Sequence, residues 1–257
     1  MKNYKLTIEY DGSGYHGYQR QVGQITIQEV LERALGKLFK TQIKTNGSGR
    51  TDTGVHALGQ VVNFTSSTYV PLEKLKFALN NLLPDDIKVL NAQAVELDFH
   101  ARYSAQSKHY KYRILNTEQH SPFVNKYMWQ LSNKLDLNAM QAATELIKGE
   151  QDFSSFRSTG SIQGSAVRNI YQADWSLRPF SGALYGLENN NCRIYEFDIH
   201  GNGFLYHMVR NLVAAFVQVG IGRISVAEFE QILINRKRTS KSVIAPAQGL
   251  YLYKVEY

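Results

Sequence analysis

The chain opens on an alternation. In Tyr4-Lys5-Leu6-Thr7-Ile8-Glu9-Tyr10, Leu6, Ile8 and Tyr10 fall on one side, which predicts a strand covered on one face only. Asp11-Gly12-Ser13-Gly14 ends it. Thr26 and Glu29 then stand at capping-box spacing, and Ile27, Val30, Leu31, Ala34, Leu35 and Leu38 recur at helical intervals. A helix with one apolar stripe follows. Residues 60–64 alternate as a strand, with Val62 and Phe64 in phase. A second helix is predicted from Pro71, carrying Leu72, Leu75, Phe77 and Leu79. Leu83-Pro84-Asp85-Asp86 is a turn into a short strand around Ile87-Lys88-Val89.

A second series of elements begins near Ser104. Residues 108–115 alternate as a strand. Residues 137–147 read as a helix, with Asp136 as cap and Gly149 as stop. Strands are predicted at 170–177 and 192–199, then a very apolar helix at 204–219 closed by Gly220. Ser225 and Glu228 cap a further helix that runs to about Asn235, and residues 250–257 alternate to the end. Helices and half-exposed strands in irregular order predict an α+β fold, with open, largely antiparallel sheet and helices on one face. The expected division is an N-terminal α/β half, 1–104, and a C-terminal α/β half, 105–257. One short internal match bears on it: Ile8-Glu9-Tyr10-Asp11-Gly12-Ser13-Gly14-Tyr15 and Phe197-Asp198-Ile199-His200-Gly201-Asn202-Gly203-Phe204 agree by residue class. Each is a strand, a Gly-x-Gly turn and an aromatic residue.

Composition narrows the class. The 257 residues are 43% hydrophobic and 12% aromatic, so the chain can bury a core and is not disordered. The single cysteine, Cys192, excludes an intramolecular disulfide and suggests a reducing compartment. It also removes Cys-x-x-Cys zinc and iron–sulfur motifs. No apolar run reaches the roughly 18 residues of a membrane span. The first strand starts too early to leave room for a signal peptide, so a cytoplasmic protein without membrane attachment is expected. A net charge of +7 points toward a polyanion, although an ordinary enzyme can carry it too.

Two glycine patterns imitate nucleotide sites. Gly12-Ser13-Gly14-Tyr15-His16-Gly17 fits Gly-x-Gly-x-x-Gly after a strand. However, no helix starts at its third glycine, and the strand alternates instead of being apolar on both faces. A glycine-rich turn is the better reading. Gly49 to Gly54 begins like a phosphate loop, but Val55-His56 stand where lysine and a hydroxyl residue are needed. The seven histidines show no metal-ligand spacing.

Three clusters carry more. Asn46-Gly47-Ser48-Gly49-Arg50-Thr51-Asp52-Thr53-Gly54-Val55-His56-Ala57 places one carboxylate and one guanidinium among glycines at the rim of a sheet. That fits a site, and it fits an Asx-turn beside a solvated arginine. Arg210 falls in the apolar helix, where a charge must either pair, with Asp52 as one candidate, or snorkel to solvent. In Lys108-His109-Tyr110-Lys111-Tyr112-Arg113, His109, Lys111 and Arg113 share one strand face and Tyr110 and Tyr112 the other. Tyr110 is either a core residue or a platform for a base. Basic runs at 37–44 and at Arg236-Lys237-Arg238-Thr239-Ser240-Lys241, interleaved with aromatics, add to the expectation of a polyanion groove.

In order and spacing, these blocks resemble the bacterial tRNA pseudouridine synthase A (TruA-type) family, nearly end to end. The resemblance rests on Gly17-Tyr18-Gln19-Arg20-Gln21, Gly49-Arg50-Thr51-Asp52-Thr53-Gly54-Val55-His56 and Phe99-His100-Ala101-Arg102. It continues through Tyr110-Lys111-Tyr112, Asp152-Phe153-Ser154-Ser155-Phe156-Arg157, His207-Met208-Val209-Arg210-Asn211 and Gln248-Gly249-Leu250-Tyr251. It implies a pseudouridine synthase fold of two related halves around a basic cleft, and a homodimer that grips tRNA. It implies an isomerase that converts uridine to pseudouridine at tRNA positions 38, 39 and 40, with no cofactor and no metal. By the resemblance Asp52 is the catalytic aspartate, Arg50 acts on the displaced base, Arg210 orients the aspartate and Tyr110 packs on the uracil. Arg20, His56, Lys108 and Arg168 join Tyr110 as expected substrate-binding residues. The cleft is expected to be lined by Arg50, Arg210 and the strand 108–113. Thr53, Tyr18 and Tyr206 depart from the usual Ala, Trp and basic or histidine residue. Two rival readings are a non-catalytic RNA-binding or tRNA-chaperone protein and, more distantly, a nucleotide-dependent enzyme at Gly12 to Gly17.

Overall fold

The alternation at the N-terminus buries Tyr4, Leu6, Ile8 and Tyr10 on strand β1 (Lys2–Tyr10). The computed structural model describes residues 1–158, 164–181, 187, 192–236 and 243–257. They form two units, residues 1–106 with 251–257, and residues 107–250.

In the first unit, β1 lies antiparallel between β3 (His56–Ser66) and β4 (Ile87–Val95). The two-residue strand β2 (Asn46–Gly47) also pairs with β3. The last strand of the chain, β10 (Leu250–Glu256), runs parallel to β3, with Tyr251 opposite His56 and Leu252 opposite Ala57. Helix α1 (Ile27–Phe39) starts at Thr26, whose hydroxyl accepts the Glu29 N–H at 3.4 Å. It packs Ile27, Leu31, Leu35 and Phe39 inward. The rings of Tyr4, Phe39 and Phe64 meet at centroid distances of 5.1–5.6 Å. Helix α2 (Leu72–Asn80) buries Leu75 and Leu79 but leaves Phe77 69% exposed. The expected apolar stripe is thus narrower, because residues two apart lie on different helix faces. Strand β4 extends six residues past Val89; its outer part is largely exposed, so the apolar alternation fades while the backbone pairing continues.

The second unit orders β5 (Ser107–Asn116), β9 (Arg193–Gly201), β8 (Val167–Pro179) and β7 (Gly149–Asp152), all antiparallel neighbours. Strand β6 (Trp129–Leu131) runs parallel to β5. Helices α3 (Leu137–Glu145), α4 (Met208–Gly220) and α5 (Val226–Ile234) complete it. A chain of rings forms its core: Trp175, Phe197, Phe216, Phe229 and Phe156 follow one another at 4.9–5.7 Å. The capping box of Ser225 and Glu228 is complete at α5. The apolar helix begins at Met208, not at 204: His207 has φ 62° and forms its N-cap. A left-handed residue cannot continue an α-helix, and hydrophobicity does not register that break.

Among the described residues, no helix is long and apolar enough to cross a membrane. Of the basic run 236–241, residues 237–241 lie outside the described residues; Arg236 faces Asp152 at 3.6 Å.

Candidate active site

The segment between β2 and β3 is held from both sides. The Ser48 N–H donates to the Val61 carbonyl at 2.8 Å. The Ser48 hydroxyl donates to Gln60 Oε1 at 2.6 Å, and Gln60 Nε2 donates to the Gly49 carbonyl at 3.0 Å. Gln60 is fully buried, so its amide acts as an internal clamp on the chain just before Arg50. Next, the Thr51 hydroxyl meets the Tyr10 hydroxyl at 2.8 Å, and the Thr51 carbonyl accepts the Tyr18 N–H at 3.0 Å. Burial pushes the Tyr10 phenol well above its ordinary range, outweighing the opposing hydrogen bonds of Thr51 and Gln60. Tyr10 therefore stays a neutral hydroxyl at all working pH values. Finally, the Val55 N–H donates to the Asp52 carbonyl at 3.1 Å, closing a turn with Gly54 at φ 78°. Asp52 stands half-buried at the head of that turn, between a pinned Thr51 and a closed hydrogen bond, while Arg50 is exposed.

The glycines that imitate a dinucleotide motif support this turn. A Cβ on Gly12 would stand 2.0 Å from the Val55 carbonyl oxygen, and one on Gly17 would stand 2.6 Å from the Thr51 carbonyl oxygen. Gly17 also has φ 81°. Backbone meets backbone at both points, which only glycine permits. The pattern Gly-x-Gly-x-x-Gly here is the wall behind Asp52.

His56 braces the same wall. It is 2% exposed, stacks on Tyr251 at 4.8 Å, and its Nδ1 accepts the Gly12 N–H at 3.1 Å, with Asp11 Oδ1 3.2 Å away. His56, expected among the substrate-binding residues, thus lies inside the wall of the turn. Arg20 is exposed, with its guanidinium 3.5 Å from Glu32. Tyr18, at the position of the usual Trp, is 3% exposed and packs as a core ring.

In the second unit, Tyr110 is 8% exposed and presents an edge-on contact to Phe204 at 5.1 Å. Lys108, half-buried, shares its strand face. The opposite face of β5 departs from expectation. Lys111 Nζ lies 2.9 Å from Asp198 and 3.4 Å from Glu196, Arg113 Nε donates to Glu196 at 2.8 Å, and His109 hydrogen-bonds Asp198. This basic stripe is neutralised by two carboxylates of β9, so it does not supply the expected free cations. Arg210 sits in the first turn of α4, half-buried, where the helix dipole disfavours a cation. Its Nε donates to the Ala245 carbonyl at 2.8 Å, which fixes the side-chain direction. Burial raises the Tyr112 phenol, and the Arg210 charge partly opposes it. Arg168 Nη1 donates to the carbonyls of Ser165 and Val167 at 2.8 and 2.6 Å. Burial and the neighbouring Arg157 lower its pKa. Tyr206 is 46% exposed and stacks on the His207 ring at 3.7 Å.

The structure thus gathers Arg50, Asp52 and His56 around one turn of the first unit, which also holds Arg20, and distributes Tyr110, Lys108, Arg168 and Arg210 in the second. Tyr10, Thr51 and Gln60, which hold the turn, were not anticipated. The available signal was Gln60, an amide set directly before Val61 and Val62 in β3. Among the described residues, no group of three or more His, Cys, Asp and Glu side chains is placed to hold a metal ion.

Comparison with known proteins completes the picture. A family model described as tRNA pseudouridine synthase matches residues 6–104 and 142–257. The tRNA pseudouridine synthase A of Thermoanaerobacter sp. (strain X514) is 43% identical over 257 residues, covering 100% of both chains. The enzyme of that name from Acetivibrio thermocellus is also 43% identical over 257 residues, and that of Lacticaseibacillus casei (strain BL23) is 42% identical over 258, each with both chains fully covered. Matched along its full length, with Asp52 on a turn that two strands, a buried amide and two glycines combine to hold, the chain belongs to the tRNA pseudouridine synthase family.

Proposed function

We propose that the protein isomerises uridine to pseudouridine in tRNA, at positions 38, 39 and 40 of the anticodon stem-loop. The observation that carries the proposal is the full-length match to relatives named tRNA pseudouridine synthase A. In the reaction the N1–C1′ bond of the nucleoside breaks, the base turns, C5 joins C1′, the C5 proton leaves and the freed N1 takes up a proton. Nothing is oxidised or hydrolysed in the balance, so the rearrangement calls for no redox group. Asp52 starts it, by attack on the nucleoside at C1′ or C6 or by taking the proton that opens a glycal route. Its rigid turn suits this role, because a pre-positioned carboxylate needs no reorganisation as the bond breaks.

A target uridine in a stem must leave the base stack before Asp52 can reach it. Arg50, exposed beside Asp52, acts on the displaced base. Tyr110 receives the uracil, and Arg210 orients the catalytic carboxylate. Arg20, Lys108 and Arg168 add attraction for the phosphate backbone, which makes binding salt-dependent. The protein works as a cytoplasmic homodimer.

Tritium release from tRNA carrying uridine labelled at C5 tests the proposal. The parent protein releases tritium and Asp52→Asn does not, while both bind tRNA with similar affinity. Binding without release by the parent would identify a non-catalytic tRNA-binding protein instead. Full release by Asp52→Asn would remove Asp52 from the chemistry.

A further inference from the structure

The loop at residues 99–104 takes no part in the site described above, yet its backbone is fixed with unusual care. The Phe99 carbonyl accepts Asn3 Nδ2 at 2.9 Å and Asn63 Nδ2 at 3.2 Å. The Ala101 N–H donates to Asn63 Oδ1 at 2.9 Å, and the Ala101 carbonyl accepts the Tyr257 hydroxyl at 2.7 Å. Asn63 Nδ2 also donates to Asn3 Oδ1 at 3.1 Å, joining the two amides. Within the loop, the His100 N–H donates to Ser104 Oγ, the Ser104 N–H to the His100 carbonyl, and the Arg102 N–H to His100 Nδ1. Asn3 and Asn63 are 1% and 3% exposed. Two buried amides are costly in a core unless every bond they make is used. Here their bonds go largely to this loop.

What the loop displays is the opposite of buried. Tyr103 is 77% exposed and Arg102 is exposed. The Arg102 guanidinium lies 5.6 Å from the centre of the Tyr103 ring, and the His100 ring lies 4.4 Å from it. Among the described residues, no carboxylate pairs with Arg102; its acidic neighbours in sequence, Glu96 and Asp98, do not. A large aromatic face and an uncompensated guanidinium are therefore held together on a backbone that needs no further ordering when a ligand arrives. The ligand that uses both groups at once carries a flat ring and an anion one linkage apart, which is a nucleotide.

We propose that the loop 99–104 is an RNA-binding element in which the Tyr103 ring stacks on a nucleobase of the substrate tRNA and Arg102 holds an adjoining phosphate. This inference rests on the tRNA substrate proposed above and extends it to residues outside the catalytic turn. The stacked base is an unpaired or terminal one, because a paired base inside a stem offers no free face.

Steady-state tritium release from C5-labelled tRNA, measured over a range of salt concentrations, tests it. Tyr103→Ala raises KM about tenfold and leaves kcat within about twofold, on the scale of one base–aromatic stack. Tyr103→Phe, which keeps the ring, restores the parental KM. Arg102→Gln lowers the slope of log KM against log salt by about one, the signature of one lost phosphate contact. Both side chains are exposed, so melting temperatures stay at the parental value. Parental KM and salt slope in Tyr103→Ala and Arg102→Gln would overturn the proposal. Should the parent release no tritium, the isomerase reading fails separately. Filter binding of the same tRNA to the same variants then decides the loop, and parental affinity in both overturns it.

Discussion

The carbonyl oxygen of Val55 occupies the space that a side chain on Gly12 would need: a Cβ there would stand 2.0 Å from it. Neither partner can yield cheaply, since both are backbone. Gly12 also donates its N–H to the buried His56. Gly12→Ala should therefore cost at least about 1–3 kcal/mol, the range for overpacking. The melting temperature should fall by several degrees, and kcat should fall with it as the Asp52 turn is pushed outward. Gly14→Ala is the control, because a Cβ there meets nothing within 4 Å. Thermal melting and tritium release on the two variants check the contrast; equal tolerance would mean that the turn does not depend on this contact.

The paired hydroxyls of Tyr10 and Thr51, 2.8 Å apart, allow a test of the inner side of the turn. Tyr10→Phe leaves the Thr51 hydroxyl buried without that partner, at a cost of about 1–2 kcal/mol. Thr51→Val alone takes one partner from the Tyr10 hydroxyl and leaves it Gln60. The double variant removes both and should recover much of the lost stability, because an apolar pair leaves nothing unsatisfied. Denaturant melts of the four proteins close the cycle. Additive losses in the double variant would show that the two hydroxyls contribute separately.

Much of this architecture was legible because periodicity reports local structure. The helices α1 and α5 carry both an apolar stripe and a cap, and both start where Thr26 and Ser225 place them. Strands β2, β6 and β7 have two to four residues, too few to show an alternation. The larger gaps are long-range. His109, Lys111 and Arg113 looked like a basic stripe because Glu196 and Asp198, which neutralise them, lie more than 80 residues away in sequence. Gly12 and Gly17 looked like a nucleotide loop because the carbonyls that demand them belong to Val55 and Thr51. Equally, nothing in its place in the chain tells that Tyr251–Tyr257 groups with residues 1–106. In the site, Asp52 and Arg50 stood out by chemistry set among glycines, whereas their supports are ordinary residues whose roles exist only after folding.

The carboxylate pair of β9 makes stability depend on pH in a defined direction. Burial alone would raise the Asp198 carboxyl, but hydrogen bonds and charge from His109 and Lys111 bring it below its ordinary value. Burial likewise opposes Glu196, and Arg113, Lys111 and Arg178 outweigh it. A depressed carboxyl contributes stability that is fully present above its unfolded pKa of about 4 and is lost as pH falls through the folded value. Melting temperature should therefore be level from neutrality to about pH 5 and drop below about pH 4. Glu196→Gln should be less stable at pH 7, by about 1–3 kcal/mol, since it leaves three cations less well compensated. Its acid limb should also be shallower than the parent's. A parallel limb in the variant would assign the acid loss to other groups.

Two of the His56 contacts, the Tyr251 stack and the Gly12 hydrogen bond, can be separated by substitution. His56→Phe keeps a ring to stack on Tyr251 but removes the acceptor of the Gly12 N–H, leaving that buried donor unpaired at a cost of about 1–3 kcal/mol. His56→Asn gives up the stack but can place an amide oxygen where Nδ1 stood. If the hydrogen bond sets the register of the Asp52 turn, His56→Asn should keep the larger share of kcat and His56→Phe the smaller, with KM for tRNA unchanged in both because the ring is buried. A direct RNA contact would instead raise KM in both variants and leave the melting temperature near parental. The stack would be the governing contact if His56→Phe were the more active of the two. Steady-state tritium release together with thermal melts separates these outcomes, since a positioning residue moves kcat and stability together and a binding residue moves KM alone.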